Sequence, residues 1–289
     1  MAIIHLPNNP DLIGIRRVTD NVRYSEKDGG LTMTLFVPRE PKVPHVMPSY
    51  PLVVYVQGSG WGKQDRGAFQ PELGELAMKG FVVASIYYRN ALDGYPFPCY
   101  LQDIKTGIRF LRKNAEKFHI QPDRVAVMGT SSGANTALLV GLTGDDPAFE
   151  TEEHAGCSDA VNAVVSYYAP TDMETFGDAE TTRAILEGTP TGTTLRDCLI
   201  AVVGNKRENL KLMSPTHYLD TCKNIPPMLL FHGTVDEIVP FSQATEFYEK
   251  LQPLQPDVNL YCVDGALHGD TFWSRQVLDI TYDFLKEKL

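Results

Sequence analysis

The sequence holds a short motif that can place a serine nucleophile. Residues 129–133 read Gly-Thr-Ser-Ser-Gly, directly after an apolar, strand-like run at 125–128 and directly before a helix-forming run at 134–142. A serine on such a tight turn has a strained backbone, and glycine on both sides lets the strand and the helix approach closely. The N–H groups at the helix start also point to where negative charge forms in acyl transfer. We therefore predict that Ser131 is a nucleophile.

A serine hydroxyl attacks a carbonyl group only when a base removes its proton, which makes a histidine on a later loop the next candidate. Among the seven histidines, His268 lies between the last strand-like run and the last helical run. His232 is the main rival, but it ends an apolar run and precedes Gly233, so we expect it to be buried, hydrogen-bonded and structural. The others occupy no comparable loop and are interpreted as surface or partly buried side chains: His5, His45, His119, His154 and His217. His268 is the predicted general base.

The imidazole in turn needs a buried carboxylate, which fixes its tautomer and stabilises the imidazolium. Asp236 is the best candidate because its loop follows the preceding strand-like run and should neighbour the loop of His268. We expect the adjacent Glu237 to point the other way, and Asp264 lies too close to His268 in sequence to reach its ring. Three further acidic residues are interpreted as turn or helix-capping residues: Asp123, Asp172 and Asp270. The predicted chain order is Ser131, Asp236, His268.

Acyl transfer also requires N–H donors for the negatively charged oxygen of the tetrahedral intermediate. One donor should be the backbone N–H of Ser132, directly after the nucleophile. The second should come from residues 57–61, Gln-Gly-Ser-Gly-Trp, which follow the strand-like run at 52–56 and which we call the oxyanion loop. Within this loop, either Gly58 or Ser59 supplies the N–H. These residues complete the predicted oxyanion hole.

The elements that could position these residues alternate along the chain. Apolar runs rich in β-branched residues predict buried strands at 52–56, 81–86, 125–128, 163–168, 228–231 and 260–263. Runs with helical spacing lie at 71–78, 100–114, 134–142, 242–251 and 271–289. Alternating strands and helices favour an α/β fold with a mainly parallel sheet and helices on both faces. In such a sheet the loops that follow the strands meet at one edge, where the predicted site residues would converge.

Two parts of the chain depart from this alternation. Residues 14–37 hold two strand-like runs around Lys-Asp-Gly-Gly at 27–30, which is typical of a hairpin turn and predicts antiparallel strands at one edge of the sheet. Residues 173–222 carry Gly, Thr and Asp clusters around short helical pieces at Ala179–Glu187 and Leu195–Val203. We interpret residues 173–222 as a small cap inserted after the sixth strand-like run. The prediction is a single domain over residues 1–289 with this cap inside it.

Composition bounds the partners and the compartment. The 36 acidic and 26 basic residues give a net charge of -10, which repels nucleic acid and anionic lipid surfaces, so neither is an expected partner. No apolar run approaches the roughly 20 residues that span a bilayer, and residues 1–10 lack the features of a secretion signal. We expect a cytoplasmic protein, although a secreted chain trimmed of its signal would look the same. The five cysteines lack C-x-x-C spacing and predict free, mostly buried thiols, with neither a zinc site nor any other cofactor.

These residues together resemble the α/β-hydrolase superfamily, specifically small esterases related to hormone-sensitive lipase and to bacterial feruloyl and acetyl-xylan esterases. The resemblance runs from residue 52 to the final helix, and the order serine, aspartate, histidine matches that of the superfamily. It includes further short motifs: Tyr88-Arg89, Pro96-Phe97-Pro98 leading into Asp103, Ala-Pro-Thr-Asp at 169–172, and Ser214-Pro215. The resemblance implies an α/β-hydrolase fold and a serine carboxylic ester hydrolase for small esters, with acetyl or hydroxycinnamoyl esters of carbohydrates as the substrate class.

The oxyanion loop departs from the pattern of these esterases, which usually have His-Gly-Gly-Gly-Trp where this chain has Gln-Gly-Ser-Gly-Trp. The Gln57 amide can replace the imidazole as a hydrogen-bonding brace, and Ser59 keeps its backbone N–H, so the hole can survive. We expect the Trp61 ring to contact the substrate, and the polar cap to favour short acyl chains. Two alternatives stay open: an amidase or peptidase of the same fold, and a non-catalytic binding protein, which usually lacks a triad member.

Overall fold

The computed structural model describes residues 2–5, 14–39 and 48–289. His45, interpreted above as a surface or partly buried residue, lies outside the described residues, and so does the side chain of Asp270. Most of the segment searched for a secretion signal lies outside them as well. No helix in these three ranges has the length and apolar character needed to cross a membrane.

One mainly parallel sheet runs through the described part of the chain. Its eight strands are β1 (Ile15–Ser25), β2 (Leu31–Pro38), β3 (Tyr50–Val56), β4 (Val82–Ile86), β5 (Ile120–Thr130), β6 (Ala163–Tyr167), β7 (Met228–Gly233) and β8 (Val258–Val263). They lie in the order β1-β2-β4-β3-β5-β6-β7-β8. β1 pairs antiparallel with β2 and β2 with β4, whereas the pairs from β4 to β8 are parallel. The predicted parallel sheet with antiparallel N-terminal strands at one edge is confirmed.

Helices cover both faces of this sheet. They are α1 (Gln70–Met78), α2 (Cys99–Lys113), α3 (Ala115–Phe118), α4 (Ser132–Leu142), α5 (Ala179–Glu187), α6 (Leu195–Val203), α7 (Arg207–Leu212), α8 (Phe241–Leu251) and α9 (Arg275–Lys288). Successive side chains of a strand point to opposite faces, so Val53 packs in the core beneath α1 and α9, and Val54 packs in the core beneath α2, α4 and α8. Strands buried on both faces explain the nearly continuous apolar runs of the sequence.

The cap, residues 173–222, lies between β6 and β7 and contains α5, α6 and α7. The two short helices predicted in it are found at the predicted bounds, whereas α7 was not predicted. Helix α6 packs directly on the oxyanion loop: a Cβ added to Gly60 would lie 2.7 Å from Cδ1 of Leu195, and one added to Gly62 would lie 2.8 Å from Sγ of Cys198. Glycine at these two positions therefore lets the cap close against the loop.

The cysteines differ in exposure. All five are free, as predicted, but Cys198 alone is buried and Cys262 is exposed, with the remaining three intermediate. The expectation of mostly buried thiols is therefore wrong. Cys262 lies in β8, the last strand of the sheet, where it and the adjacent Tyr261 are both exposed.

Candidate active site

Ser131 lies at the turn where β5 ends and α4 begins, with φ 51° and ψ −124°. A positive φ in a residue other than glycine is strained and persists only where the surrounding structure fixes it. Here the Ser131 N–H donates to the carbonyl oxygen of Tyr167 at 2.9 Å, and the wholly buried helix α4 follows at once. The turn therefore holds the Ser131 side chain at the carboxyl edge of the sheet, outside both flanking elements.

The two glycines of the motif are required by close backbone approach. A Cβ on Gly129 would lie 2.2 Å from the carbonyl oxygen of Gly133, and a Cβ on Gly133 would lie 2.1 Å from the carbonyl oxygen of Val56. These neighbours are backbone atoms and cannot rotate away as a side chain can. The tight packing of β3, β5 and α4 around the turn thus explains the Gly-x-Ser-x-Gly spacing.

His268 connects Ser131 with Asp236. Its Nε2 lies 3.0 Å from Oγ of Ser131, and its Nδ1 lies 2.7 Å from Oδ2 of Asp236. Because a carboxylate only accepts hydrogen bonds, Nδ1 carries the proton and donates it to Asp236, which leaves Nε2 able to accept from the serine hydroxyl. The side chain of His268 is 11% exposed and that of Asp236 is 0% exposed. The structure thus brings the predicted nucleophile, base and carboxylate into one hydrogen-bonded chain.

Both carboxylate oxygens of Asp236 are held by donors. Oδ1 accepts the N–H groups of Ile238 and Val239, each at 2.9 Å, and Oδ2 accepts from His268 and, at 3.3 Å, from Nε2 of His232. Burial favours the neutral acid, but the hydrogen bonds from the two histidines and the two N–H groups outweigh it. They hold the pKa of Asp236 well below its usual range. Asp236 is therefore ionised across the pH range in which an imidazole can act as a base.

His232 has the buried, hydrogen-bonded position expected of it. It is 1% exposed, and its Nε2 also lies 2.9 Å from the carbonyl oxygen of Val239. Since both neighbours of Nε2 are acceptors, this nitrogen carries the proton and shares it between Val239 and Asp236. The contact with Asp236 was not predicted, and it makes His232 a support of the carboxylate.

Two side chains hold His268 from other directions. The ring of Tyr168 meets the imidazole edge to face, with centroids 4.5 Å apart, and Tyr168 itself has a positive φ of 46° just after β6. Glu237 was expected to point away, but its Oε2 accepts the backbone N–H of His268 at 3.3 Å. The carboxylate of Glu237 thus meets the backbone of the histidine loop, because the loops after β7 and β8 pack together, with the Val235 N–H bonded to the Ala266 carbonyl oxygen.

The oxyanion loop lies directly against the nucleophile turn, since a Cβ on Gly58 would lie 2.8 Å from Cβ of Ser131. The Gly58 N–H donates to Oγ1 of Thr130 at 2.9 Å, and the Ser59 N–H donates to Oγ of Ser132 at 3.0 Å. The backbone N–H of Ser132 is at the start of α4, where helix geometry gives it no intrahelical acceptor. The loop has the predicted location. That its N–H groups, and that of Ser132, donate to the oxyanion stays a prediction.

Two expectations for this loop need correction. Trp61 is only 2% exposed, and its ring packs against Tyr100 with centroids 5.9 Å apart, so the ring offers a substrate almost no surface. Gln57 is 6% exposed, and among the described residues its Oε1 has no hydrogen-bond partner. The amide oxygen therefore does not brace the loop as expected.

Other candidate residues have different neighbours. Oδ1 of Asp172 accepts the N–H of Glu174 at 3.0 Å, as expected of a turn residue, and Nε2 of His154 lies 2.7 Å from the carbonyl oxygen of Tyr24. In the ranges that the structure describes, no group of three His, Cys, Asp or Glu side chains could hold a metal ion.

Comparison with known protein families assigns the chain to one family. The model of the BD-FAE family matches residues 38–251, a stretch that includes Ser131 and Asp236 and ends before His268. The chain belongs to the BD-FAE family.

Relatives of this BD-FAE member agree with that assignment. Esterase LipC of Mycobacterium tuberculosis (strain ATCC 25618 / H37Rv) is 32% identical over 224 residues, which are 76% of this chain and 53% of LipC. This chain spans about half the length of the curated relatives it matches.

Solved structures give the fold. A bifunctional GH43-CE protein of Bacteroides eggerthii matches with a TM-score of 0.77 and 27% identity, over 94% of this chain and 35% of that one. A truncated carbohydrate esterase from gut microbiota matches with a TM-score of 0.76 and 24% identity, over 95% of this chain and 97% of that one. The α/β-hydrolase fold is confirmed by these matches.

Several supporting contacts in this BD-FAE member were missed by the sequence analysis. They are the hydroxyl of Thr130 on the oxyanion loop, the ring of Tyr168 on His268, and the ring of His232 on Asp236. The sequence held a signal for the contact of Thr130, since both variable positions of the Gly-Thr-Ser-Ser-Gly motif carry hydroxyls that can bond neighbouring backbone groups. The contact of Tyr168 with His268 left no local signal because it joins the ends of β6 and β8, whereas His232 and Asp236 lie only four residues apart in the chain.

Proposed function

We propose that this chain hydrolyses small carboxylic esters through an acyl-enzyme, with Ser131 as nucleophile, His268 as general base and Asp236 as the orienting carboxylate. The observation that carries the proposal is the unbroken hydrogen-bond chain from Ser131 Oγ through the imidazole to Asp236, with distances of 3.0 and 2.7 Å. A serine hydroxyl is a weak nucleophile without such a base, and an imidazole needs the carboxylate to keep its proton on Nδ1.

The reaction follows from this geometry. Oγ of Ser131 attacks the ester carbonyl while Nε2 of His268 takes the hydroxyl proton, and the carbonyl oxygen becomes the oxyanion. The intermediate collapses, the bond to the alcohol oxygen breaks, and the imidazolium returns its proton to the leaving alcohol. Water then repeats the sequence on the acyl-enzyme: Nε2 takes one proton from it, the acid is released, and Ser131 recovers its proton.

The oxyanion is stabilised by backbone donors beside the nucleophile. The N–H of Ser132 stands at the start of α4, and the oxyanion loop supplies the second donor through Ser59 or Gly58. Both N–H groups are held by hydroxyls that flank the nucleophile, that of Ser59 by Ser132 and that of Gly58 by Thr130, so either can be the second donor. Donors fixed before the reaction cost no reorganisation in the transition state.

The proposed substrates are acetyl or hydroxycinnamoyl esters of carbohydrates. The resemblance to feruloyl and acetyl-xylan esterases suggests this class, and the cap supports it. Residues 189–196, Thr-Pro-Thr-Gly-Thr-Thr-Leu-Arg, are exposed and rich in hydroxyls, and they end on the helix that packs on the oxyanion loop. Hydroxyl groups beside the site are better suited to contact the alcohol part of a sugar ester than to contact a long acyl chain.

A substrate panel tests the proposal. Aryl esters of graded acyl length, p-nitroanilides with the same acyl groups, and acetylated and feruloylated oligosaccharides are compared by kcat/KM. We expect cleavage of the short aryl esters and of at least one oligosaccharide ester, with anilides much slower. Faster cleavage of anilides than of esters would replace the esterase with an amidase, and turnover of aryl esters alone would remove the carbohydrate class while leaving the esterase.

A further inference from the structure

The oxyanion loop is held in place by hydroxyl groups, and the residue at its start contributes little to this. Oε1 of Gln57 is buried and has no hydrogen-bond partner within the described residues. A buried loop with unsatisfied backbone groups would be costly, so its N–H and C=O groups must be met by other partners.

The hydroxyl of Ser132 accepts hydrogen bonds from two backbone N–H groups of the oxyanion loop. Its Oγ accepts the N–H of Ser59 at 3.0 Å and the N–H of Trp61 at 3.2 Å. A hydroxyl oxygen has two acceptor lone pairs, and both are used here on one side of the same loop. Ser132 is 1% exposed and follows the nucleophile directly, so it joins the oxyanion loop to the turn that carries Ser131.

The hydroxyl of Tyr88 holds the same loop from a second side. It donates to the carbonyl oxygen of Gln57 at 3.0 Å and lies 3.0 Å from Oγ of Ser59, which in turn donates to the carbonyl oxygen of Gly62 at 2.8 Å. Burial raises the pKa of Tyr88 to about 12, so the hydroxyl keeps its proton and remains a donor.

We propose that the side chain of Ser132 is a positioning residue for catalysis: its hydroxyl, with that of Tyr88, fixes the oxyanion loop at the distance from Ser131 that the transition state requires. This rests on the proposed serine mechanism. When the oxyanion forms, it is met by an N–H of this loop, from Ser59 or Gly58, at the position that the two hydroxyls hold. The oxyanion exists only in the transition state and intermediates, so the contribution appears in kcat and leaves substrate binding almost unchanged.

The test removes one hydroxyl at a time from the full chain. Ser132→Ala deletes the group that accepts from the loop, and Tyr88→Phe deletes the second support. Ser214→Ala is a matched control, because Ser214 is 2% exposed and its Oγ likewise accepts a backbone N–H, that of Met173 at 2.8 Å, but both of its partners, Met173 and Leu210, lie in the cap. For each variant, kcat and KM on p-nitrophenyl acetate, the rate of labelling by a fluorophosphonate, and Tm are measured.

We expect Ser132→Ala to lower kcat and the labelling rate by about 10- to 100-fold, because a displacement of the loop by even 1 Å weakens the donors in the transition state. The KM of Ser132→Ala should stay within about threefold of wild type. Ser214→Ala should lower Tm by about as much as Ser132→Ala does, while its kcat stays within about threefold of wild type. Combining Ser132→Ala with Tyr88→Phe should cost less in kcat than the product of the two single effects, because both act through one loop.

The proposal is overturned if Ser132→Ala keeps kcat within about threefold of wild type, or if Ser132→Ala and Ser214→Ala lower kcat equally, since the hydroxyl would then only stabilise the fold. Fully independent effects of Ser132→Ala and Tyr88→Phe would also contradict it. The proposed function is judged separately, by turnover and labelling of the wild-type chain, whereas the Ser132 proposal is judged by the ratios between the variants.

Discussion

Replacing Asp236 by Asn changes one atom and should disable the base. The two carboxylate oxygens are not equivalent: Oδ1 accepts two backbone N–H groups at 2.9 Å, from Ile238 and Val239, whereas Oδ2 faces ring nitrogens of His268 and His232. The asparagine oxygen must take the Oδ1 position, because an NH2 group there would face two donors. The amide NH2 therefore faces the two histidines.

That orientation forces the wrong tautomer on His268. Its Nδ1 can meet an NH2 group only as an acceptor, so the ring proton moves to Nε2, and Nε2 can no longer take the proton of Ser131. We expect kcat to fall by about 10²- to 10⁴-fold, which corresponds to roughly 3 to 5.5 kcal/mol of lost transition-state stabilisation.

Stability supplies a second readout for the same variant. Because the folded pKa of Asp236 lies well below its usual range, the ionised carboxylate contributes stability above about pH 4, and this contribution is lost as the pH falls through the folded pKa. Asp236→Asn lacks the contribution at every pH. The gap in Tm between wild type and variant should therefore narrow as the pH falls below about 4.

The matched control is Glu237→Gln. Glu237 is exposed and its Oε2 accepts the N–H of His268, a role that an amide oxygen can keep, so we expect kcat within about threefold of wild type. Both variants are assayed with p-nitrophenyl acetate at pH 7 to 9. If Glu237→Gln lost as much activity as Asp236→Asn, the assignment of the carboxylate would be refuted.

Two further predictions concern pH and substrate size. The rate should rise once between about pH 6 and 8, since an imidazole must be neutral to accept a proton and Asp236 is already ionised there; a flat profile, or a second break on the acid side of this range, would contradict it. Acetyl or butyryl p-nitrophenyl esters should show kcat/KM at least about tenfold higher than decanoyl esters, because each methylene adds roughly 0.8 kcal/mol only where an apolar wall covers it. A maximum at eight carbons or beyond would indicate an apolar tunnel under the cap.

The sequence predicted the buried parts of the elements better than their ends. The run at 125–128 indicated only the buried second half of β5, which spans Ile120–Thr130. Residues 121–124, Gln-Pro-Asp-Arg, are mostly exposed but continue the strand to the pairing of Ile120 with Tyr50. The last helix was predicted from residue 271, but α9 begins after Ser274, whose hydroxyl accepts the N–H of Val277 and caps the helix. Hydrophobic periodicity reports burial, whereas strand ends and helix starts depend on local hydrogen bonds.

The position of the site could be predicted because its residues follow strands whose carboxyl ends share one edge of the sheet. Side-chain directions could not be predicted in the same way. Trp61 is buried against Tyr100, Oε1 of Gln57 has no hydrogen-bond partner among the described residues, and Glu237 meets the backbone of His268. Each of these directions results from packing between segments far apart in the chain, which no local pattern of residues encodes.

The most direct test of the central claim is to map the covalent adduct of a fluorophosphonate by mass spectrometry, beside the turnover of Ser131→Ala. The hydrogen bond from Ser131 to Nε2 of His268, at 3.0 Å, is the observation behind the proposal that this hydroxyl is the activated nucleophile. We expect one adduct, on Ser131, and a loss of about 10⁵-fold or more in kcat for Ser131→Ala with Tm nearly unchanged. An adduct on another residue, or turnover retained by Ser131→Ala, would contradict the proposed mechanism.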